Sequence, residues 1–322
     1  MENISISIIM PIYNVANYLN IMLDSLYNQT FRDFELIVVN DGSTDNSMEI
    51  VDRYKLKYNN ITILNQKNRG PSEARNNAIK YIKGKYTIFL DSDDYMERDM
   101  LEKMYRKAEK NNLDIIICEY KKVYDYKNNS KDKIIFDADE NKIYSNIEVM
   151  EMMLDEKVKG YLWNKMFLSK NIFKSNIQFE KGRLVEDVFP VYKLVSMAKK
   201  IMFINGSLYN YRQRATSSLH GKSIKLIEDY IFAYSSILKY SDDFPDISKE
   251  KYYKIIDNIQ AVPIHDLVLL GERCNRYTYK QYSVLNMNIF EIMFRINCEK
   301  RVKFRLLLYK LRVLHYYYKV SI

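Results

Sequence analysis

Four residues, Asp91, Ser92, Asp93 and Asp94, directly follow the apolar run Tyr86-Thr87-Ile88-Phe89-Leu90. In an extended chain residues two apart share a face, so Asp91 and Asp93 present their carboxylates together. Two hard oxygen donors on one face suit Mg²⁺ or Mn²⁺, which keeps several waters and takes further ligands from substrate phosphates. The same run also suits a solvated turn in which Asp94 caps a helix starting near Glu97. A second acidic pair, Glu186-Asp187, precedes the helical pattern of residues 188–197. A carboxylate there can take a proton from an attacking hydroxyl, or merely complement a helix N-terminus. Two further clusters carry chemistry. Tyr211, Arg212, Arg214, Ser217, Ser218 and His220 form a basic, hydroxyl-rich segment suited to a diphosphate. Trp163, the sole tryptophan, stands beside Asn164 and Lys165, either as a stacking platform for a sugar or as a core residue.

Placing these groups requires a scaffold, and the apolar spacing supplies one. It predicts strands over 4–10, 35–39, 61–64 and 86–90, and helices over 15–27, from a Ser43 or Thr44 cap to 58, and over 71–82. Such alternation predicts an α/β fold with a parallel sheet, right-handed crossovers and helices on both faces. Ligands of open α/β sheets bind outside the carboxyl ends of the strands. Pro11, Tyr13 and Asn14 follow the first strand, Asn40 to Asp45 the second, and Asp91 to Asp94 the fourth. After residue 114 the pattern is mixed: an apolar strand over 115–120, a polar segment over 126–133, then a strand and a helix around Val149. Beyond His220 it is helical, with candidates over 225–240, 248–270, 279–297 and 300–317. The boundary between the two regions is expected near 217–222.

Composition narrows the chemistry. Fifty Lys and Arg against 41 Asp and Glu give a formal charge of +9 over 322 residues, which favours an anionic partner. Cys118, Cys274 and Cys298 form no Cys-x-x-Cys pair, so neither a disulfide framework nor a zinc ribbon is supported and a reducing compartment fits. Residues 1–10 lack the marks of a signal peptide, and no apolar run approaches the roughly 18 to 20 residues of a membrane span. A cytoplasmic protein, peripheral on the inner face of the membrane, is the expectation. The final helical pattern carries Phe304, Leu307, Leu308, Leu311 and Leu314 on one face amid Lys and Arg. It can lie on an anionic membrane surface or pack on the domain. No Gly-x-Gly-x-x-Gly follows any strand, and Gly221-Lys222-Ser223 has Thr216 where a phosphate loop needs glycine. A haloacid-dehalogenase phosphatase would continue its Asp-x-Asp with Gly-Thr or a similar pair, whereas Asp93 is followed by Asp94-Tyr95. The basic residues are dispersed, so no nucleic-acid partner is expected.

Four segments stand together in order: Met10-Pro11-Ile12-Tyr13-Asn14, Val39 to Asp45 (Val-Asn-Asp-Gly-Ser-Thr-Asp), Asn68 to Asn76 (Asn-Arg-Gly-Pro-Ser-Glu-Ala-Arg-Asn), and Phe89 to Asp94. This combination resembles the nucleotide-sugar half of the family 2 inverting glycosyltransferases of GT-A fold, over residues 4–125. Tyr161 to Lys165, Glu186-Asp187 and Tyr209 to Ser218 extend the resemblance to about residue 220 and to bacterial polysaccharide-type members.

The resemblance implies a GT-A domain over 1–220, with a nucleotide-sugar half (1–125) and an acceptor half (126–220), followed by a helical region over 221–322. It implies metal-dependent transfer of a hexosyl or N-acetylhexosaminyl group from a nucleotide sugar, UDP-linked, to a glycan, polyol-phosphate or lipid-linked acceptor in bacterial surface-polysaccharide synthesis. Donor-binding positions carried over are Pro11, Tyr13, Asp41, Arg75, Asp91, Ser92 and Arg212. Tyr13 would face a uracil, Asp41 would accept the base N–H, and Arg75 would reach its carbonyl or a phosphate. Asp93 and Asp91 match the Mn²⁺ or Mg²⁺ ligands, with His220 as a third. Asp187 matches the catalytic base and Glu186 its acceptor-orienting neighbour, while Trp163 and Lys165 are candidates for the acceptor. A non-catalytic glycan- or nucleotide-binding protein of the same fold is the alternative; Mn²⁺-dependent donor turnover separates the two.

Overall fold

The computed structural model describes residues 4–125, 130–214 and 224–240, together with 247, 304 and 307. The chain divides into two compact units, Met1–His220 and Gly221–Ile322. In the first, β1 (Ile6–Ile12), β2 (Phe34–Asn40) and β4 (Tyr86–Phe89) are apolar runs buried almost throughout, as strands covered on both faces must be. With β3 (Ile61–Asn65) they form a parallel block in the order β3-β2-β1-β4. Helix α1 (Ala16–Tyr27) buries Leu19, Met22, Leu23 and Leu26, one stripe at helical spacing. Helix α3 (Pro71–Ile79) opens with proline, whose fixed φ suits the first helical position, behind Gly70 at φ 87°.

Beyond β4 the sheet becomes mixed. Strand β8 (Lys165–Leu168) runs antiparallel to both β4 and β6 (Ile115–Tyr124), and β9 (Ile201–Gln213) is parallel to β6. The short β5 (Tyr95–Met96) closes that edge on β9. The polar segment after β6 turns back as β7 (Ser130–Ile134), a hairpin partner of β6. Helices α4 (Met100–Asn111), α5 (Asn146–Leu154), α6 (Ser169–Ser175) and α7 (Val188–Met197) complete the unit. Helix α5 carries a full capping box between Ser145 and Glu148.

Several boundaries differ from expectation, for local reasons. Helix α2 (Ser47–Lys57) does not start from a Ser43 or Thr44 cap. Residues 43–45 are held in a loop instead: Ser43 N donates to Asn40 Oδ1 (2.9 Å) and Thr44 N to Asn14 Oδ1 (2.8 Å). Asp45 then receives Ala16 N and Ser47 N, each at 3.0 Å, serving the starts of both α1 and α2. Pro11 lies inside β1 opposite Val39 rather than after it. Asp94 caps nothing, because α4 begins later and has Asp99 at its cap position. In the second unit, α8 (Ile224–Tyr240) occupies the first expected helix. The helices expected over 248–270 and 279–297 lie outside the described residues, and of 300–317 only Phe304 and Leu307 are described, both helical. Among the described residues no helix is long and apolar enough to cross a membrane.

Candidate active site

The adjacent ends of β2, β1 and β4 form one rim, and most of the singled-out residues gather there. Tyr13 is 46% exposed, its ring open to solvent just past β1. Asp41, at the end of β2, is buried and accepts from Gln66 Nε2, Arg69 N and Gly70 N, each at 2.8 Å. Those three bonds use most of the roughly four lone-pair positions of a carboxylate. Asp41 therefore shapes the loop that launches α3 before it can serve any base.

Arg75 projects from α3 into the interior, where its side chain keeps only 7% of its exposure. Its Nη2 pairs with Asp91 at 2.9 Å and its Nη1 with Glu186 at 2.5 Å, while its guanidinium lies 5.8 Å from the Phe179 ring. Beside it, Asn76 donates to Phe179 O and accepts from Phe179 N, both at 2.9 Å, imitating a strand pair. These contacts bring the end of β4 to the turn before α7. Arg75 is thus an internal clamp between two acidic groups.

Asp187 occupies the cap position of α7, yet its side chain makes no cap hydrogen bond. It is only half-buried by surface area, so it can be reached, while its surroundings still raise its affinity for a proton. Burial first, then the charges of Glu186 and Asp91, push Asp187 up to about 7 against the pull of Arg75.

At the β4 end, Asp91 is one-third exposed and Asp93 pairs with Arg214 at 2.8 Å. Asp93 is pushed above the usual carboxylate range by burial and by Asp91, and Arg214 and Arg212 pull it back only in part. Asp94 is fully enclosed, accepts from Tyr209 Oη (2.8 Å) and Arg212 N (2.7 Å), and is raised further by burial and by the charges of Asp93 and Asp91. Burial and mutual repulsion keep Asp93 and Asp94 raised despite the neighbouring arginines, a strain that a bound cation would relieve. Among the described residues no group of three His, Cys, Asp or Glu side chains is arranged to hold a metal. A cation on Asp91 and Asp93 would draw further ligands from beyond the described carboxylates, water and substrate phosphate among them. Ser92 is buried between them, and His220 lies outside the described residues.

Three assignments need correction. Arg212 is occupied within the protein: Nε donates to Asp93 O (2.8 Å), Nη1 pairs with Asp125 (2.9 Å), and the guanidinium lies 5.1 and 5.4 Å from the Tyr18 and Tyr95 rings. It braces the 91–94 turn rather than presenting itself to a diphosphate. Trp163 is 4% exposed, stacked near-parallel with Tyr209 (4.6 Å) and Tyr161 (4.8 Å) and edge-on to Tyr120 (4.8 Å), so it is core rather than a sugar platform. Lys165 is completely buried, with Nζ donating to Lys159 O (2.8 Å), Tyr161 O (2.7 Å) and Asn164 Oδ1 (2.8 Å). All three ammonium protons are consumed, leaving none for an acceptor. Sequence reasoning also missed Asn76 and Phe179, although Asn76 sits next to Arg75 in the motif, and it left Arg214 without the role of Asp93's partner.

A parallel β3-β2-β1-β4 half with Asp-x-Asp at its rim, continued by a mixed half bearing Asp187, defines the GT-A class of sugar transferases. The description "Glycosyl transferase family 2" fits residues 7–176, and the chain belongs to that family. It is 34% identical over 217 residues to the glycosyltransferase GlyA of Streptococcus pneumoniae, covering 66% of this chain but 31% of GlyA. It is 31% identical over 274 residues to the minor teichoic acid biosynthesis protein GgaB of Bacillus subtilis, covering 82% of this chain and 29% of GgaB. The chain thus spans less than a third of either relative's length. The crystal structure of S. aureus TarS 1–349 in complex with UDP-GlcNAc shares the fold, with a TM-score of 0.65 at 20% identity over 97% of this chain and 89% of that one.

Proposed function

We propose that this glycosyltransferase moves a hexosyl or N-acetylhexosaminyl group from a UDP-linked donor, with inversion, onto a hydroxyl of a glycan, polyol-phosphate or lipid-linked acceptor of the bacterial cell surface. The single observation that carries the reading is Arg75 holding Asp91 and Glu186 together, which sets a diphosphate-type acidic rim beside a part-exposed, proton-seeking Asp187. UDP-GlcNAc in the TarS complex supports the donor class, and the name of GgaB supports a teichoic-acid-type acceptor.

Asp93 and Asp91 would hold Mn²⁺ or Mg²⁺, which when bound neutralises charge on the departing nucleoside diphosphate. Tyr13 offers an open ring face at the nucleoside end. Asp187 accepts the proton of the acceptor hydroxyl as that oxygen bonds to the anomeric carbon and the bond to the diphosphate breaks. A base poised near 7 is ionised often enough at neutral pH yet basic enough to remove the proton. Glu186, fixed by Arg75, keeps its neighbour's backbone in place.

The test is Asp187→Asn in a donor-turnover assay with UDP-N-acetylglucosamine or UDP-glucose and Mn²⁺, alongside UDP affinity by calorimetry. Turnover is expected to fall by about 100-fold or more, with UDP affinity within about twofold. Turnover that survives the substitution removes Asp187 as the base; UDP binding with no turnover of any donor in wild type favours a non-catalytic binder.

A further inference from the structure

The corrected position of Lys165 raises the question of what a fully buried ammonium does there. Its two backbone acceptors, the carbonyls of Lys159 and Tyr161, flank Gly160. A Cβ added at Gly160 would lie 2.9 Å from Val188 Cα, closer than real Cβ atoms come to backbone, and a tight 3.2 Å from Val188 Cγ2. The residue before Val188 is Asp187. We infer that Lys165 is a positioning residue: it ties the 159–161 segment into a brace whose side-chain-free centre, Gly160, seats against Val188 and sets the height of the Asp187 carboxylate. The inference rests on the reading of Asp187 as the base.

The root of the brace is rigid. Lys165 begins β8, and its N–H donates to Leu162 O at 3.0 Å. Asn164, which supplies the third acceptor, is doubly tied to the central strand β6: its Nδ2 donates to Cys118 O (3.0 Å), and its own carbonyl accepts from Cys118 N (2.9 Å). Tyr161, at the far side of Gly160, is stacked on Trp163. The segment therefore hangs from the sheet core on the Tyr161 side of the glycine, and Lys165 Nζ ties the Lys159 side to it. Burial pulls Lys165 down to about 7, and the nearby Asp187 and then Cys118 favour the protonated form in return. The arrangement explains why a lysine occupies a site with no access to solvent. It also explains why the residue at 160 has no side chain although its backbone does not need the left-handed region.

The experiment uses the full chain with UDP-N-acetylglucosamine, Mn²⁺ and water as acceptor, so that no unidentified acceptor enters. Lys165→Met keeps the stem and removes the hydrogen bonds. Turnover should fall about 10- to 100-fold, the range expected for sub-ångström to ångström misplacement of a catalytic group. Donor KM and UDP affinity should stay within about twofold. Gly160→Ala, which keeps Lys165 and displaces Val188 directly, should reproduce the kcat loss with the same unchanged KM, and decides the matter if Lys165→Met fails to fold. The double variant should be little worse than the more impaired single one, because both act through one contact. A raised donor KM with intact kcat, full activity in Gly160→Ala, or losses that multiply in the double variant overturns the inference. Asp187→Asn run in parallel separates the two readings. Inactive Asp187→Asn with fully active Lys165→Met and Gly160→Ala rejects the brace alone, whereas active Asp187→Asn rejects the base and the brace with it.

Discussion

Replacing Arg75 by Met removes the cation that joins the two halves of the site while preserving most of the volume. Its partners weigh unequally: Glu186 keeps 10% of its side-chain exposure and Asp91 keeps 34%. Leaving one member of a buried pair without its counter-charge costs about 3–5 kcal/mol. The better-hydrated Asp91 adds less than about 1 kcal/mol after screening. A net loss of about 3–6 kcal/mol is expected, carried mainly by Glu186, equivalent to a fall in Tm of roughly 6–24 °C for a unit of this size. The buried Trp163, the only tryptophan, reports unfolding of this unit without interference from residues 221–322. The pH dependence has a defined sign. Arg75 pulls Asp187 down, so in the variant Asp187 sits further above its unfolded value. A carboxylate raised by folding costs stability above its unfolded pKa, with the cost growing until the folded value is passed. The gap between variant and wild type must therefore be wider at pH 8 than at pH 5. Arg75→Met/Glu186→Gln, which removes both charges, should recover more than half of the loss without restoring turnover. A fall in Tm below 2 °C that is the same at both pH values would refute the claim that a desolvated ion pair joins the halves.

Other outcomes follow from the same geometry. Asp94→Ala strands the buried Tyr209 Oη and the part-buried Arg212 N, and should cost about 2–6 kcal/mol in chemical denaturation, from about 1–3 kcal/mol for each unsatisfied group. Asp93→Asn should leave stability within about 1 kcal/mol, since Arg214 stays part-exposed, but weaken Mn²⁺ activation of donor turnover at least about tenfold. Wild-type turnover should rise with pH through about 7 as Asp187 loses its proton, and a rate that is flat between pH 5.5 and 8.5 would contradict that assignment.

Much of the nucleotide half, and the acidic pair of the acceptor half, was legible in advance because these signals are local. Continuous apolar runs specify β1, β2 and β4, Pro71 marks the first turn of α3, and Glu186-Asp187 stands immediately before α7. The expected Ser43 or Thr44 cap failed because Asn14, some 30 residues away, competes for the same backbone groups. The acceptor side was the least legible. A tryptophan, a lysine and an arginine look like ligand-binding groups in a sequence, yet Trp163, Lys165 and Arg212 are all satisfied inside the protein.

What the sequence determined alone is the order of strands and helices, the family motifs, and the carboxylates at strand and helix ends, since each depends on neighbours within a few residues. Tertiary structure decided which charges are shared. The Arg75–Glu186 pair spans 111 positions and Asp94–Arg212 spans 118, distances over which no periodicity or spacing carries information. Burial acts in the same way. It raises Asp187, lowers Lys165 and closes the aromatic cluster around Trp163, and it exists only once β8, β6 and β9 have packed side by side.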